Sequence, residues 1–259
     1  MMTLGAQLYT THELCKTTEG LADTLARVAD IGYKTVQVSG VCPYDPAWLK
    51  EELDKNGLTC SITHIAKADL LEKTDEVMQN HKILDRRYIG LGGFGFPHVT
   101  VAEMKEQLLP MATTLAENGF YFMYHNHHYE FGRDKETKMR IMDGILEAFP
   151  ADVLGITLDT FWAQVGGADP AAWVSKLKGR IPCLHLKDCL YEYDPESSSF
   201  YCIKMAPVGE GNMNFPRILE AAKDAGTEYL LVEQDNCYGE DPIACLKRSY
   251  DYLKSLGLN

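Results

Sequence analysis

A short phrase recurs along this sequence: a helical pattern ends in glycine, and a β-branched or aromatic run follows within a few residues. The four copies begin at Gly32, Gly57, Gly119 and Gly226. Glycine just after a helix accepts the left-handed backbone that satisfies the last carbonyl groups, so each copy predicts a helix-to-strand junction. The repetition therefore predicts a chain of alternating helices and strands.

The beginnings of helices and the strands themselves are also marked. Asp-Pro pairs at 45–46, 169–170 and 241–242 each place a capping carboxylate before a proline that suits the first helical position. Eight strand-like runs lie at Leu4–Tyr9, Thr35–Val38, Thr59–His64, Tyr88–Leu91, Tyr121–His125, Leu154–Leu158, Cys183–Leu186 and Tyr229–Glu233. The gaps between them are helix-sized, which favours parallel pairing.

Eight alternating units within 259 residues predict one α/β domain, a (β/α)8 TIM barrel spanning residues 1–259. About 250 residues are typical of such a barrel. An open doubly wound sheet is disfavoured, because no Gly-x-Gly-x-x-Gly opens a helix after the first strand. Residues 191–214 are too long for a plain connection and predict either a functional loop or a small hairpin.

Charge and composition exclude several classes of function. The formal net charge is −12, and no basic stripe is present to neutralise phosphates, so nucleic acid is an unsuitable partner. No apolar run is long enough to cross a membrane, and the first nine residues lack the pattern of a secretory signal. The eight cysteines form no Cys-x-x-Cys pair and are expected to be reduced. We therefore expect a cytoplasmic protein.

Polar residues crowd the ends of the last four predicted strands. Because the active site of a parallel barrel lies at the carboxyl ends of its strands, these positions are candidates for function. On the seventh strand, His185 and Lys187 share one face, opposite Leu184 and Leu186, which places an imidazole and an ammonium in the barrel mouth. This pair is difficult to explain as packing.

The fifth strand ends in a histidine cluster. His125, His127 and His128 lie within four residues, and three imidazoles at one strand end are seldom structural. His125 and His127 share a face if the strand remains regular that far. We expect a functional role for at least one of them.

These strand ends carry a family resemblance. Tyr-His-Asn-His-x-x-Glu-Phe at 124–131, Leu-Asp-Thr at 158–160, His-Leu-Lys-Asp at 185–188, Gly-Glu-Gly-x-Met-Asn-Phe at 209–215 and Val-Glu-Gln-Asp at 232–235 occur in chain order. Together they resemble the xylose-isomerase-like barrel superfamily, specifically its sugar phosphate isomerase/epimerase group.

The resemblance implies one divalent metal ion, held by Glu130, Asp159, His185 and Glu233. Relatives such as tagatose epimerases carry the strand-five glutamate nearer the strand, where this chain has His125 and Asn126, so a histidine ligand is the alternative to Glu130. Three carboxylates and one imidazole suit Mn²⁺ or Mg²⁺ and tolerate Co²⁺ or Zn²⁺.

The resemblance also implies a reaction, isomerisation or epimerisation of a sugar or keto-sugar. A polarised carbonyl acidifies the adjacent C–H, so that a carboxylate can remove the proton and form an enediolate. In similar epimerases the strand-five and strand-eight glutamates are both ligands and acid/base groups, which assigns these roles to Glu130 and Glu233. Lys187, His64 and His127 are then available to stabilise an oxyanion or to move protons.

Other residues are candidates for substrate binding, each with a structural alternative. His64, His125 and Tyr9 end strands, Trp162 follows a strand, and Glu210 lies between two glycines. His64 and Tyr9 could equally be core or rim residues, packing is the commoner role for Trp162, and Glu210 could be a solvated turn residue. Asp159 could be only a helix cap, and Glu233 a surface carboxylate.

Three other functions compete with this one, of which the first is disfavoured. Endonuclease IV shares the superfamily but needs more histidines than this chain offers after strand six, where Asp159-Thr160-Phe161-Trp162 stands. The histidine-rich fifth strand and His-Leu-Lys-Asp also resemble inosose dehydratases and keto-sugar-cleaving lyases, which begin with the same proton removal. A non-catalytic sugar-binding barrel is the third possibility. A homo-oligomer is compatible with each function.

Overall fold

The computed structural model describes residues 2–193 and 203–258, and within them eight parallel strands close into a barrel. The barrel strands are β1 (Thr3–Gln7), β2 (Thr35–Val38), β3 (Thr59–His64), β4 (Tyr88–Leu91), β5 (Tyr121–His125), β6 (Leu154–Asp159), β7 (Cys183–Leu186) and β10 (Tyr229–Val232). Each pairs with the next barrel strand in chain order, and β10 pairs with β1. The predicted (β/α)8 TIM barrel is confirmed.

Ten α-helices among the described residues surround the barrel. They are α1 (Thr18–Ile31), α2 (Pro46–Lys55), α3 (Lys67–Glu72), α4 (Thr74–Ile83), α5 (Val101–Glu117), α6 (Ile141–Ala148), α7 (Thr160–Val165), α8 (Pro170–Lys176), α9 (Phe215–Ala225) and α10 (Pro242–Ser255). The carboxylates of Asp45, Asp169 and Asp241 accept backbone N–H groups at the starts of α2, α8 and α10, as the Asp-Pro pairs predict. Short 3₁₀ helices cover Leu8–Thr11 and Tyr129–Phe131.

Two antiparallel strands lie at the departure predicted at 191–214. Strands β8 (Asp188–Tyr191) and β9 (Ile203–Ala206) pair antiparallel, and residues 194–202 lie outside the described part of the chain. The buried Asp188 carboxylate accepts backbone N–H groups of Gly209 and Gly211, each at 2.9 Å. One carboxylate thus ties the chain after β9 back to the start of β8.

The floor of the barrel, at the amino ends of the strands, is filled by apolar side chains. Its buried members are Ile62, Tyr88, Met123, Cys183 and Leu231. Glycine on a neighbouring strand makes room for them, since a Cβ on Gly155 would lie only 2.6 Å from Met123 Sδ. The floor is therefore a packed core and not a pore.

Two further expectations concern the described residues alone. Their seven cysteines are all free thiols. No helix among them is long and apolar enough to cross a membrane.

Candidate active site

Four buried side chains converge at the mouth of the barrel, where the carboxyl ends of the strands meet. His125 ends β5, Asp159 ends β6, His185 lies on β7, and Glu233 follows β10. One ligand atom from each lies within 4.8 Å of the others. These four strands are consecutive neighbours in the barrel, so parallel pairing alone brings their ends together. We call this set the four-residue group.

The atoms of the four-residue group face one another. His185 Nδ1 lies 2.8 Å from Glu233 Oε2 and 3.8 Å from Asp159 Oδ2, and His125 Nε2 lies 3.3 Å from the same Asp159 oxygen. His185 Nδ1 and Glu233 Oε2 are buried without a well-aligned hydrogen-bond partner. Two buried atoms of ligand type that lie this close, without a well-aligned hydrogen bond, fit the role of ligands to a shared cation.

Outer partners orient the members of the group. Gln7 Nε2 donates to Glu233 Oε1 at 2.8 Å, and Gln37 Oε1 lies 2.6 Å from His185 Nε2. His185 therefore presents Nδ1 to the group, because its other nitrogen is engaged by Gln37. Such contacts fix the orientation of ligands in metal sites. The buried cluster could thus bind a metal ion.

The Asp159 carboxylate has two functions. Its Oδ1 accepts the backbone N–H of Trp162 at 2.9 Å and caps α7, while Oδ2 faces the imidazoles of the four-residue group. The helix-cap and site interpretations of this residue are therefore compatible. The cap holds the carboxylate in one orientation.

The Lys187 ammonium lies beside the four-residue group and is buried. Its Nζ is 2.9 Å from Asp159 Oδ2, 3.0 Å from Glu233 Oε2 and 2.8 Å from Asp235 Oδ1. Burial opposes its charge, but the Asp159, Glu233 and Asp235 carboxylates raise the pKa of Lys187 above its usual range. Lys187 is thus held as an ammonium.

The acids and imidazoles around it are shifted by their neighbours. Burial opposes ionisation of Glu233, yet Lys187 and His185 hold its pKa below the usual range. Burial and the Glu233 carboxylate raise the pKa of Asp235 to about 7. Burial disfavours charge on His185, but Glu233 and Asp159 raise its pKa to about 9. Perturbed groups of this kind cluster at functional sites.

Glu130 is not in the four-residue group, which corrects the prediction from the resemblance. The chain turns after β5 into the 3₁₀ helix, and this turn carries Glu130 behind the strand. There its Oε1 accepts the Tyr124 hydroxyl at 2.5 Å and its Oε2 accepts the His127 backbone N–H at 2.9 Å. His125 takes the fifth-strand place, as the alternative interpretation allowed.

A pocket of about 480 Å³ opens above the group. Predicted site residues that line it are Tyr9, His64, His125, His127, Trp162, Lys187 and Glu233. Burial and the neighbouring His125 lower the pKa of His127 to about 4. His64 Nδ1 lies 3.3 Å from Ser39 Oγ, whereas its buried Nε2 has no partner. These imidazoles are neutral and available to a ligand.

Glu210 does not line this pocket, contrary to expectation. Its carboxylate is exposed and pairs with Arg248 of α10 at 2.8 Å. Conversely, Gln37 and Asp235 line or support the site but were not among the predicted site residues. Both could have been found by alternation: Gln37 is the polar inward residue of an apolar strand, and Asp235 follows Glu233 by two positions.

The chain matches a known protein family. The model of the xylose isomerase-like TIM barrel family matches residues 25–256. The chain belongs to this family. The family resemblance seen in the sequence is therefore confirmed. A comparison with curated protein sequences finds no match.

Solved structures resemble this xylose isomerase-like barrel over nearly its whole length. A sugar phosphate isomerase/epimerase from Parabacteroides distasonis is 22% identical, with a TM-score of 0.75 and coverage of 98% of this chain and 94% of that one. An L-ribulose 3-epimerase is 17% identical, with TM-score 0.74 and coverage of 100% and 95%. The probable 3-DHS dehydratase AsbF from Bacillus anthracis is 15% identical, with TM-score 0.71 and coverage of 98% and 99%. At these identities the likeness shows the fold.

Proposed function

We propose that this xylose isomerase-like barrel is a divalent-metal-dependent isomerase or epimerase acting on a sugar or keto-sugar. The observation that supports it most is the four-residue group, whose ligand atoms lie within 4.8 Å of one another beneath an open pocket. The structures of an L-ribulose 3-epimerase and a sugar phosphate isomerase/epimerase share its fold.

The donor set favours one class of ion. Two imidazoles and two carboxylates replace the three carboxylates and one imidazole expected from the resemblance. The extra nitrogen ligand suits Mn²⁺, Co²⁺ or Zn²⁺ better than Mg²⁺. We propose Mn²⁺ as the first ion to test. When bound, the ion would supply Lewis-acid polarisation of a sugar carbonyl.

The protein's own residues would then move the proton. Glu233 is the carboxylate of the group that lines the pocket, and we assign it the role of base at the carbon beside the carbonyl. Lys187, also in the lining, would stabilise negative charge on a substrate oxygen. His127 and His64 would pass protons between substrate oxygens, and Tyr9 and Trp162 would contact the sugar.

The position of Glu130 affects which proton transfer is easiest. Same-face transfer between adjacent carbons through an enediolate needs one base, which Glu233 supplies. Inversion at one carbon needs a second base on the opposite face, and Glu130 is engaged by Tyr124 and the His127 backbone instead. The geometry thus supports isomerisation first, and epimerisation only if His127 or His64 is the second base.

A lyase or dehydratase is the second candidate. It needs one base and an acid for the leaving group, which Glu233 and a pocket histidine would supply without Glu130. The shared fold with the probable 3-DHS dehydratase also favours it. The two reactions differ after the proton leaves, because elimination expels a substituent and yields an unsaturated carbonyl product.

The test measures bound metal and proton exchange together. Protein purified without chelator should contain about one transition-metal equivalent per chain, and Glu233→Gln at matched folding should lose it. In heavy water, the wild type should exchange the proton beside the carbonyl of a ketose or keto-glycoside, and Glu233→Gln should slow exchange by about 10²–10⁴-fold.

Glu130→Gln is the matched control, since it alters a buried glutamate outside the four-residue group and should keep the metal. Loss of a substituent with an unsaturated product would favour the lyase. Metal binding with sugar affinity and no exchange would favour a sugar-binding barrel. No metal in any protein, even after soaking with Mn²⁺, would refute the proposal.

We further propose one domain over residues 1–259, a cytoplasmic location and a small-molecule substrate. The net charge of −12 supports a partner other than nucleic acid. Homo-oligomer formation is compatible with the same site.

A further inference from the structure

The Lys187 ammonium contacts the same oxygen atoms that face the imidazoles. Its Nζ lies 2.9 Å from Asp159 Oδ2, which is also 3.3 Å from His125 Nε2. It lies 3.0 Å from Glu233 Oε2, which is also 2.8 Å from His185 Nδ1. A divalent cation bound to these oxygens would repel an ammonium at such distances. Lys187 and a metal ion therefore compete for Asp159 and Glu233.

Asp235 offers Lys187 a position outside this competition. Lys187 Nζ donates a hydrogen bond to Asp235 Oδ1 at 2.8 Å, and the Trp162 ring centroid lies 5.7 Å from the same Nζ. Asp235 is not a member of the four-residue group and lines the pocket. A buried ammonium needs a partner. Moving Lys187 away from Asp159 and Glu233 therefore costs the least free energy if Asp235 continues to hold it.

We infer that Asp235 is a positioning residue: it retains the Lys187 ammonium when a divalent cation takes Asp159 and Glu233, and so orients Lys187 toward the substrate. The inference rests on the proposed function and deepens it. Three carboxylates face one ammonium here, which leaves acidic charge for a second cation to neutralise. Asp235 thereby governs metal affinity through Lys187 without touching the metal.

The test is a double-mutant cycle on Mn²⁺ affinity, measured by titration calorimetry and by the electron paramagnetic resonance of free Mn²⁺. Lys187→Met removes the competing charge and should tighten binding at least about tenfold, while its unbranched side chain refills the space. Asp235→Asn should weaken binding about three- to tenfold in the wild-type background. In the Lys187→Met background the same change should have little effect, because Asp235 acts through Lys187.

Two controls separate positioning from general charge. Asp235→Glu keeps the carboxylate and should restore most of the affinity that Asp235→Asn loses. Glu210→Gln removes an exposed carboxylate that pairs with Arg248, and it should leave the Mn²⁺ dissociation constant unchanged. An equal loss from Asp235→Asn in both backgrounds would overturn the inference, as would failure of Lys187→Met to tighten binding.

A measurement on the unmodified protein guards against misfolded variants. Acetylation of Lys187 by an amine-reactive reagent, measured by mass spectrometry, should become faster when Mn²⁺ is added. The ammonium then leaves two of its three carboxylates and loses its proton more easily. A slower or unchanged rate would overturn the inference. If these tests fail while proton exchange persists, the proposed function stands alone; if no protein binds Mn²⁺, both fail.

Discussion

The mouth and the floor of this barrel are made by the same strands and hold opposite kinds of side chain. On β7, Cys183 lies in the floor and His185 in the mouth, and on β10 and its extension Leu231 and Glu233 are divided in the same way. Each pair is two residues apart, which is one inward repeat of a strand. A step of about 7 Å along the chain thus separates packing from chemistry.

The two ends also differ in how well their groups are satisfied. Floor residues are apolar and closely packed, whereas the mouth gathers buried charged groups and holds His64 Nε2 without a hydrogen-bond partner. Unpaired buried polar atoms cost about 1–3 kcal/mol each. The mouth is therefore the less well satisfied end, which is typical of functional sites.

The largest effect should come from a matched pair of changes, one at each end. Leu231→Ala deletes a fully buried floor side chain and should lower the free energy of unfolding by about 2–5 kcal/mol. It should leave the Mn²⁺ dissociation constant nearly unchanged. Glu233→Gln should lose the metal but cost less stability than Leu231→Ala, because Asp159 and Asp235 still pair with the Lys187 ammonium. Denaturant unfolding and calorimetric titration of both variants test this, and equal destabilisation by the two would break the division.

The strands and helix ends that create this division can be predicted from the sequence, because short stretches of residues determine them. Gly32 and Gly226 have positive φ angles at helix ends, as their place before strand-like runs predicts. The strand at Thr35–Val38 has its predicted bounds. These features depend on the conformational freedom of glycine and the alternation of side chains, which can be read over a few residues.

The same short-range patterns predict some of the residues in the mouth but not all of them. Alternation placed His185 and Lys187 together, and the structure has both at the group. Glu130 could not be placed in this way, because a 3₁₀ turn follows the regular strand. Glu210 depends on a contact with Arg248, which is 38 residues away in the chain. Irregular turns and long-range pairs are set by the whole fold.

A smaller effect is expected at Glu130, whose carboxylate supports the mouth through its contacts with Tyr124 and His127. Glu130→Ala leaves the buried Tyr124 hydroxyl and the His127 N–H without their acceptor, and it should cost about 1–3 kcal/mol of unfolding free energy. Glu130→Gln keeps an acceptor and should cost less. Thermal unfolding with metal analysis checks both, and loss of the metal from Glu130→Gln would return this residue to the mouth.

The smallest effect concerns a histidine outside the mouth. Thr63 and His64 are adjacent on β3, but His64 lines the pocket whereas Thr63 Oγ1 lies 2.8 Å from His81 Nε2. His81 Nδ1 lies 2.7 Å from the Val77 carbonyl, so both of its nitrogens have partners. Burial lowers the pKa of His81 in the folded protein, although the Val77 carbonyl opposes the shift.

The lowered pKa fixes the sign of a pH effect. The stability from neutral His81 is fully present above the unfolded pKa of about 6.5 and is lost as pH falls through the folded value, at no more than about 1.4 kcal/mol per pH unit. His81→Gln cannot take up the proton, so its unfolding free energy should fall less steeply between about pH 6.5 and pH 5. Urea unfolding across that range measures the slope, with the exposed histidine variant His98→Gln as control. If His81→Gln leaves the slope of unfolding free energy against pH unchanged, the acid sensitivity comes from the histidines of the mouth.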